Sequence, residues 1–179
     1  MNTFQLFAEP WWVNLLVAIP FVAYLLWRKD RLSIGGSILI ITAIFGITFG
    51  FNEAVVVVYL RGVIGALPGL INNNDFLSNL SPIFAQIEFW REAATMVMLL
   101  CIAMLSVKTI RERTAVFLWT FAFWDIFYYA GLWVIVRWPV SLLSPDVLFL
   151  IPVPWLAQVW FPLLVSGLSI VAVLLARKK

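Results

Sequence analysis

Five long apolar stretches follow one another along the chain, separated by polar or proline- and glycine-rich segments. They cover about residues 11–27, 34–60, 89–107, 114–137 and 153–176. A helix that crosses the hydrocarbon core of a membrane needs roughly 17–25 mostly apolar residues, and each stretch reaches that length. The pattern predicts an all-α, polytopic integral membrane protein with five transmembrane helices, in a single domain that spans residues 1–179.

The segments between these stretches differ in length. Residues 28–33 and 108–113 are short connections, so we expect the helices that they join to form antiparallel hairpins. Residues 61–88 and 138–152 are longer and contain glycine or proline residues, which interrupt helices. Because five spans would place both long segments on one side, we expect two loops there that lie on or dip into the membrane surface.

The distribution of lysine and arginine predicts how the bundle is oriented. Nine of the twelve basic residues lie in the two short connections and at the C-terminus, whereas only Arg61 and Arg137 lie at the opposite helix ends. Cytoplasmic loops of membrane proteins are enriched in lysine and arginine. We therefore expect an outside N-terminus, a cytoplasmic C-terminus and a location in the cell (inner) membrane of a bacterium, as a multi-pass protein.

Composition agrees with a membrane protein and removes several chemistries. Hydrophobic residues make up 64% of the chain and charged residues 12%, and the mean hydropathy is +1.01. The chain has no histidine and one cysteine, which excludes histidine-ligated metal or haem centres and Ser–His nucleophiles. We predict no metal and no cofactor. The expected partners are membrane lipids, other membrane subunits or a second copy, and no nucleic acid, because the basic residues are spread over short loops.

Glu53 and Asp125 are acidic residues inside apolar stretches, where an ionisable group is costly and therefore points to function. Glu53 follows the motif Gly46-x-x-x-Gly50 by one helical turn, and such a motif lets a second helix approach closely. Asp125 lies about eleven residues into the fourth stretch, which is roughly 16 Å along a helix. The sequence thus predicts one carboxyl group in the outer half of the bundle and another near mid-membrane.

Helical spacing adds further polar residues to these two positions. Glu88, Arg91 and Glu92 share one face of the third helix, and Tyr128 and Tyr129 share the face of Asp125. We expect the second, third and fourth helices to enclose a polar chamber in the outer half of the bundle, above an aliphatic inner half. The predicted catalytic residues are Asp125, Glu53 and Glu92. The predicted substrate-binding residues are Arg91, Tyr128, Tyr129, Trp124, Trp133 and Asn52.

Three functions from different classes are compatible with such a chamber. In a membrane enzyme, Asp125 would act as the acid and Glu53 or Glu92 as the base, with Arg91 orienting it, on an apolar lipid- or isoprenoid-like substrate. In a non-catalytic subunit of a larger complex, the same charges would be interhelical pairs that fix the packing. In a proton-coupled transporter or ion conduit, a polar route would have to continue past Asp125.

Three charged residues also have simpler explanations. We expect Arg61 and Arg137 to be interfacial anchors whose charged ends reach the membrane surface. We expect Glu88 to stabilise the start of the third helix, because an acidic side chain there interacts favourably with the positive end of the helix dipole. These residues are therefore not included among the predicted site residues.

Overall fold

The computed structural model describes residues 4–63 and 81–178. The chain is mostly helical, with 72% helix, and the described residues contain five α-helices. A 3₁₀-helix, Trp11–Val17, leads into α1, Ala18–Trp27. The other helices are α2 (Gly36–Val63), α3 (Pro82–Ser106), α4 (Ile110–Val136) and α5 (Trp160–Ala176). Within the described ranges, α2, α3 and α4 are long and apolar enough to cross a membrane, whereas Trp11–Trp27 and Trp160–Ala176 are shorter apolar helices.

Two helices begin elsewhere than the apolar stretches predict. α3 begins at Pro82 rather than near residue 89, because proline is well tolerated in the first helical turn and the turns that follow carry Glu88 on their buried face. α5 begins at Trp160 rather than near residue 153, because a strand occupies the preceding residues. Of the predicted loop 61–88, residues 61–63 continue α2, residues 82–88 belong to α3, and residues 64–80 lie outside the described part of the chain.

A small antiparallel sheet corrects the predicted all-α architecture. β1 (Pro145–Phe149) pairs with β2 (Trp155–Gln158), with Pro145 opposite Gln158 and Val147 opposite Leu156. The predicted loop 138–152 therefore contains a strand, which its prolines obscured. Glu9 pairs with the other edge of β2, where it exchanges two backbone hydrogen bonds with Leu156, of 2.8 and 2.7 Å.

The helices α2 and α4 form the most extensive pair in the bundle, and glycine makes their close contact possible. A Cβ atom at Gly46 would lie 2.7 Å from the carbonyl oxygen of Thr120, and one at Gly50 would overlap the carbonyl oxygen of Trp124. From the other side, a Cβ at Gly131 would lie 2.8 Å from the Cβ of Ala54. The predicted role of the Gly46-x-x-x-Gly50 motif in helix packing is confirmed, and this packing fixes α2 one turn before Glu53.

The basic segments meet at one end of the bundle. Arg111 donates to the backbone carbonyl of Asp30 at 2.6 Å, and Arg177 donates to that of Ile34 at 3.0 Å. Leu32 forms backbone hydrogen bonds with the chain at the end of α5. An apolar core lies next to this end and includes Trp27, Leu39, Val116, Trp119 and Val173. The hairpin and residues 4–9 lie at the opposite end.

Candidate functional site

A cavity of about 890 Å³ lies in the half of the bundle beneath the hairpin. Pockets that bind small molecules commonly have volumes of roughly 300–1,000 Å³. The helices α2, α3, α4 and α5, the hairpin and residues 5–9 all contribute to its wall. Its charged lining residues are Glu9, Glu53, Glu88, Glu92, Asp125, Asp146, Arg61 and Arg91. The predicted chamber was assigned to the second, third and fourth helices, whereas α5 and the hairpin also enclose this cavity.

Arg91 lies at the centre of a network on the α3 side. Its guanidinium forms an ion pair with Glu53 of α2, and its Nη2 lies 2.8 Å from Oε2 of Glu88. Thr95 donates from Oγ1 to Oε1 of Glu53 at 2.7 Å. Helical spacing explains the arrangement, because residues 88, 91, 92 and 95 follow one another along the same face of α3. The network joins α2 to α3 and occupies both oxygens of Glu53.

Glu92 lies beside this network but is held differently. Its Oε2 accepts a hydrogen bond of 2.8 Å from the backbone N–H of Leu150, just after β1. Among the described residues, no basic nitrogen lies within 4.0 Å of its carboxylate. Glu92 therefore connects α3 to the hairpin while its carboxylate keeps capacity for another partner in the cavity.

Asp125 is a carboxyl group near the middle of α4. It is 6% exposed and lines the cavity. Ser166 of α5, which is fully buried, donates from Oγ to Oδ2 of Asp125 at 2.8 Å. No basic nitrogen of the described ranges lies within 4.0 Å of Asp125. A buried acid whose partner is a neutral hydroxyl is suited to deliver or accept a proton.

Asp146 of β1 brings a further carboxyl group to the cavity. Tyr129 donates from its hydroxyl to Oδ2 of Asp146 at 2.8 Å, and Arg61 Nη2 lies 3.8 Å from Oδ1. The guanidinium of Arg61 also lies over the ring of Trp138, 4.3 Å from its centroid. Burial raises the pKa of Asp146 to about 6, although Arg61 and the Tyr129 hydroxyl oppose the rise. The cluster attaches the hairpin to α2 and α4.

Aromatic rings form much of the remaining wall. Trp124 stacks on Tyr128 with centroids 6.3 Å apart and lies 6.4 Å from the ring of Phe149. The indole of Trp124 is 7% exposed, and its Nε1 has no hydrogen-bond acceptor among the described residues. A buried N–H normally has an acceptor. The indole N–H itself has almost no accessible surface, so Trp124 contributes its ring rather than a donor to the cavity wall.

The cavity brings together seven of the nine predicted site residues: Asp125, Glu53, Glu92, Arg91, Tyr128, Tyr129 and Trp124. Asn52 and Trp133, which were predicted to bind substrate, are not among its lining residues. Asn52 is on the exposed surface of α2. Trp133 is 52% exposed and lies under the guanidinium of Arg137. On α4 the buried face continues from Tyr129 to Leu132, which is fully buried, so the next residue points outwards.

Two charged residues predicted to have simpler roles also line the cavity. Arg61 is 6% exposed and paired with Asp146, so it is not a surface anchor. Glu88 is 6% exposed and holds Arg91, one turn or more beyond the start of α3 at Pro82. Hydropathy alone does not distinguish Arg61 and Glu88 from interfacial anchors and helix caps, because these two residues lie near the ends of the apolar stretches.

Three cavity contacts were missed by the sequence reasoning. Asp146 is the only acidic residue in the predicted loop 138–152, a signal that was available. Ser166 is one of few polar residues in the fifth apolar stretch, but serine is common in helix contacts within membranes and is a weak signal. The N–H of Leu150 has no signal in the side-chain pattern, because its role depends on the backbone of the hairpin.

No family model matches the chain, and no curated protein or solved structure is significantly similar to it. The chemistry of the cavity is therefore the basis for a function. Within the described ranges, no group of three or more cysteine, aspartate or glutamate side chains is arranged to hold a metal ion. The arrangement offers an acid without a cationic partner, a carboxylate with spare acceptor capacity, and an apolar aromatic wall. These are components for proton transfer on a partly apolar molecule.

Proposed function

We propose that this chain is a five-span membrane enzyme that performs acid–base chemistry on an apolar, lipid-like substrate. The observation that supports it most is that Asp125, Glu92 and Arg91 line one cavity of about 890 Å³. If these charged residues only held the helices together, we would expect the helices to pack closely around them and to leave no cavity. A large pocket with a few convergent polar groups is the usual form of an active site.

The proposed topology places the N-terminus outside and the C-terminus in the cytoplasm. Contacts between the 28–33 connection, the start of α4 and the end of α5 support it, because these basic segments form one end of the bundle. Basic segments favour the cytoplasmic side. The cavity would then open towards the outer side of the membrane.

We assign Asp125 as the acid and Glu92 as the base. Asp125 is buried with Ser166 as its partner, and Glu92 is oriented by the N–H of Leu150 with one oxygen available. Glu53 is a positioning residue in this proposal, because Arg91 and Thr95 occupy its oxygens. A pair of carboxyl groups in different surroundings is a common arrangement for acid–base catalysis.

A conduit is less well supported than an enzyme. The cluster between Asp125 and the basic end is apolar, and it includes Leu39, Val116 and Trp119. The buried hydroxyls of Thr42 and Thr120 donate to backbone carbonyls of their own helices. Among the described residues, these groups offer no polar route from Asp125 to the basic end.

The test follows lipid conversion by the purified protein. The protein is reconstituted into nanodiscs of bacterial polar lipids, and mass spectrometry follows the lipid species over time. We expect a species to be consumed by the wild type and conversion to fall by at least about a hundredfold in Asp125→Asn, the lower range for general acid–base catalysis. Asp30→Asn is the matched control, because Asp30 lies at the basic end and is 85% exposed. Full conversion by Asp125→Asn, or no conversion by the wild type, would overturn the proposal.

A further inference from the structure

The cavity carries more acidic than basic side chains. Six carboxyl groups and two guanidinium groups line it. Arg91 is paired with both Glu53 and Glu88, and Arg61 is paired with Asp146. Both arginines therefore already have carboxylate partners, which leaves little for an anionic ligand to bind. If Asp125 is counted as a neutral acid, the carboxylates still outnumber the guanidinium groups.

Glu92 is the carboxylate with room for a cation. A carboxylate offers about four acceptor positions, and the hydrogen bond from Leu150 uses one of them. Among the described residues, no lysine or arginine nitrogen lies within 4.0 Å of it. Tyr128 and Trp124 line the same cavity, and aromatic faces bind ammonium groups well.

The other side of the cavity is apolar and adjoins a groove on α3 and α4. Leu16 and Ile19 form part of this side, together with Phe121 of α4. Met96 of α3 and Phe117 of α4 line both the cavity and a second space of about 360 Å³. The side chains of Val97, Leu100, Met104 and Ile110 extend this groove towards the basic end. Because Met96 and Phe117 line both spaces, the groove adjoins the cavity along α3 and α4, and Arg113 and Thr114 also line the groove.

We propose that the cavity binds an amphiphile with a protonated amine or quaternary ammonium head group and a long apolar chain. This inference rests on the proposed function and names its substrate class. The head group lies at Glu92 beside the aromatic rings, and the chain lies along Phe121, Met96 and Phe117 into the groove. A small cation without an apolar chain would leave the apolar lining of the cavity and groove uncovered. This lining therefore favours a ligand that has a lipid-like chain.

The test compares three probes that share one alkyl chain: dodecylamine, dodecanol and dodecanoate. The protein in nanodiscs of neutral lipid is titrated with each probe, and empty nanodiscs correct for partitioning into the bilayer. We expect dodecylamine to bind about tenfold more tightly than dodecanol, because a charge-assisted hydrogen bond contributes about that factor in affinity. Dodecanoate is expected to bind least tightly.

Glu92→Gln tests the position of the head group. Glutamine retains an oxygen that can accept from Leu150, so the fold is expected to be kept while the charge is lost. We expect this variant to bind dodecylamine and dodecanol equally. Glu112→Gln is the matched control, because Glu112 lies in the first turn of α4 at the basic end, where its carboxylate accepts from the Thr109 hydroxyl. Tighter binding of dodecanoate, equal binding of all probes by the wild type, or an unchanged amine preference in Glu92→Gln would overturn the inference.

The two proposals fail separately. Asp125→Asn is expected to keep the preference for dodecylamine while it loses lipid conversion. An amine preference with full conversion by Asp125→Asn would support the ligand class and refute the acid–base assignment. Loss of conversion in Asp125→Asn without any amine preference in the wild type would refute the head group and leave the enzyme proposal standing.

Discussion

At the scale of single residues, the cavity depends on carboxyl groups that are buried with specific partners. Each has a different one: Arg91 for Glu53, a backbone N–H for Glu92, Ser166 for Asp125. Removing one member of a buried ion pair commonly costs about 3–5 kcal/mol, because the other charge remains without compensation. The partners therefore determine which carboxyl groups have a structural role and which are available for chemistry.

Asp146 gives a prediction for the pH dependence of stability. Burial raises its pKa from an ordinary value of 3.8 to about 6, so the folded protein binds a proton that the unfolded chain has released. Between these values stability should fall as the pH rises, by at most about 3 kcal/mol at roughly 1.4 kcal/mol per pKa unit. In Asp146→Asn this fall should disappear, since asparagine does not titrate and its oxygen can still accept from Tyr129.

Thermal unfolding of the detergent-solubilised protein at a series of pH values between 4 and 6 measures this effect. The quantity of interest is the difference in unfolding midpoint between the wild type and Asp146→Asn. Asp30→Asn, at the exposed basic end, should leave the pH dependence as in the wild type. A difference that stays constant over this pH range would contradict the assigned burial of Asp146.

At the scale of helices and strands, packing is determined by the closest approach between α2 and α4. Helix association within membranes relies on small residues, because apolar side chains gain little by leaving lipid. The carbonyl oxygen of Trp124 occupies the space where a side chain at Gly50 would lie. The position of Glu53 relative to Asp125 therefore depends on Gly50, although Gly50 does not line the cavity.

Substituting Gly50 should separate α2 from α4. In Gly50→Ala the new methyl group would meet the backbone of α4, which cannot rotate away, so we expect a loss of about 1–3 kcal/mol, typical of overpacking. Gly167→Ala is the matched control, because no atom lies within 4 Å of a Cβ at Gly167. That variant should gain roughly 0.5–1 kcal/mol from the better helix propensity of alanine. The unfolding midpoints of the two variants in detergent, each compared with the wild type, measure these effects. Equal effects of the two substitutions would contradict the close contact between α2 and α4 at Gly50.

The sequence predicts some of these elements better than others. The length of the apolar stretches predicted α2 and α4 nearly to their ends, and the Gly46-x-x-x-Gly50 motif predicted a close helix contact. The hairpin was not predicted, because Pro152 and Pro154 indicate a loop. In the structure, β1 and β2 pair with each other across the turn that contains these two prolines. Asp125 and Glu53 were found because charge in an apolar stretch is costly. Ser166 and Leu150 could not be assigned, since their roles arise only from the packing of distant segments.

At the scale of the whole molecule, the two ends of the bundle differ in charge and in content. One end gathers the basic connections around Asp30 and Ile34. The other holds the cavity beneath the hairpin. If basic segments stay in the cytoplasm, a substrate reaches the cavity from the outer leaflet or the outer solution, and the cytoplasmic end serves as the closed base of the bundle.

Cysteine labelling in cells tests this orientation. Cys101 is exposed on α3, so it is first replaced in Cys101→Ser. In that background, Val140→Cys places a thiol after α4 at a position that is 80% exposed, and Lys178→Cys places one at the exposed basic end. A membrane-impermeant maleimide should label Val140→Cys in intact cells and Lys178→Cys only after permeabilisation. The reverse pattern would show that the bundle has the opposite orientation. Labelling of both thiols in intact cells would contradict a topology with the two ends on opposite sides of the membrane. In the first case the substrate would have to reach the cavity from the cytoplasm, because the cavity and Val140 lie at the same end of the fold. In the second case the bundle would not separate two sides of the membrane, and the proposed entry from the outer side would fail.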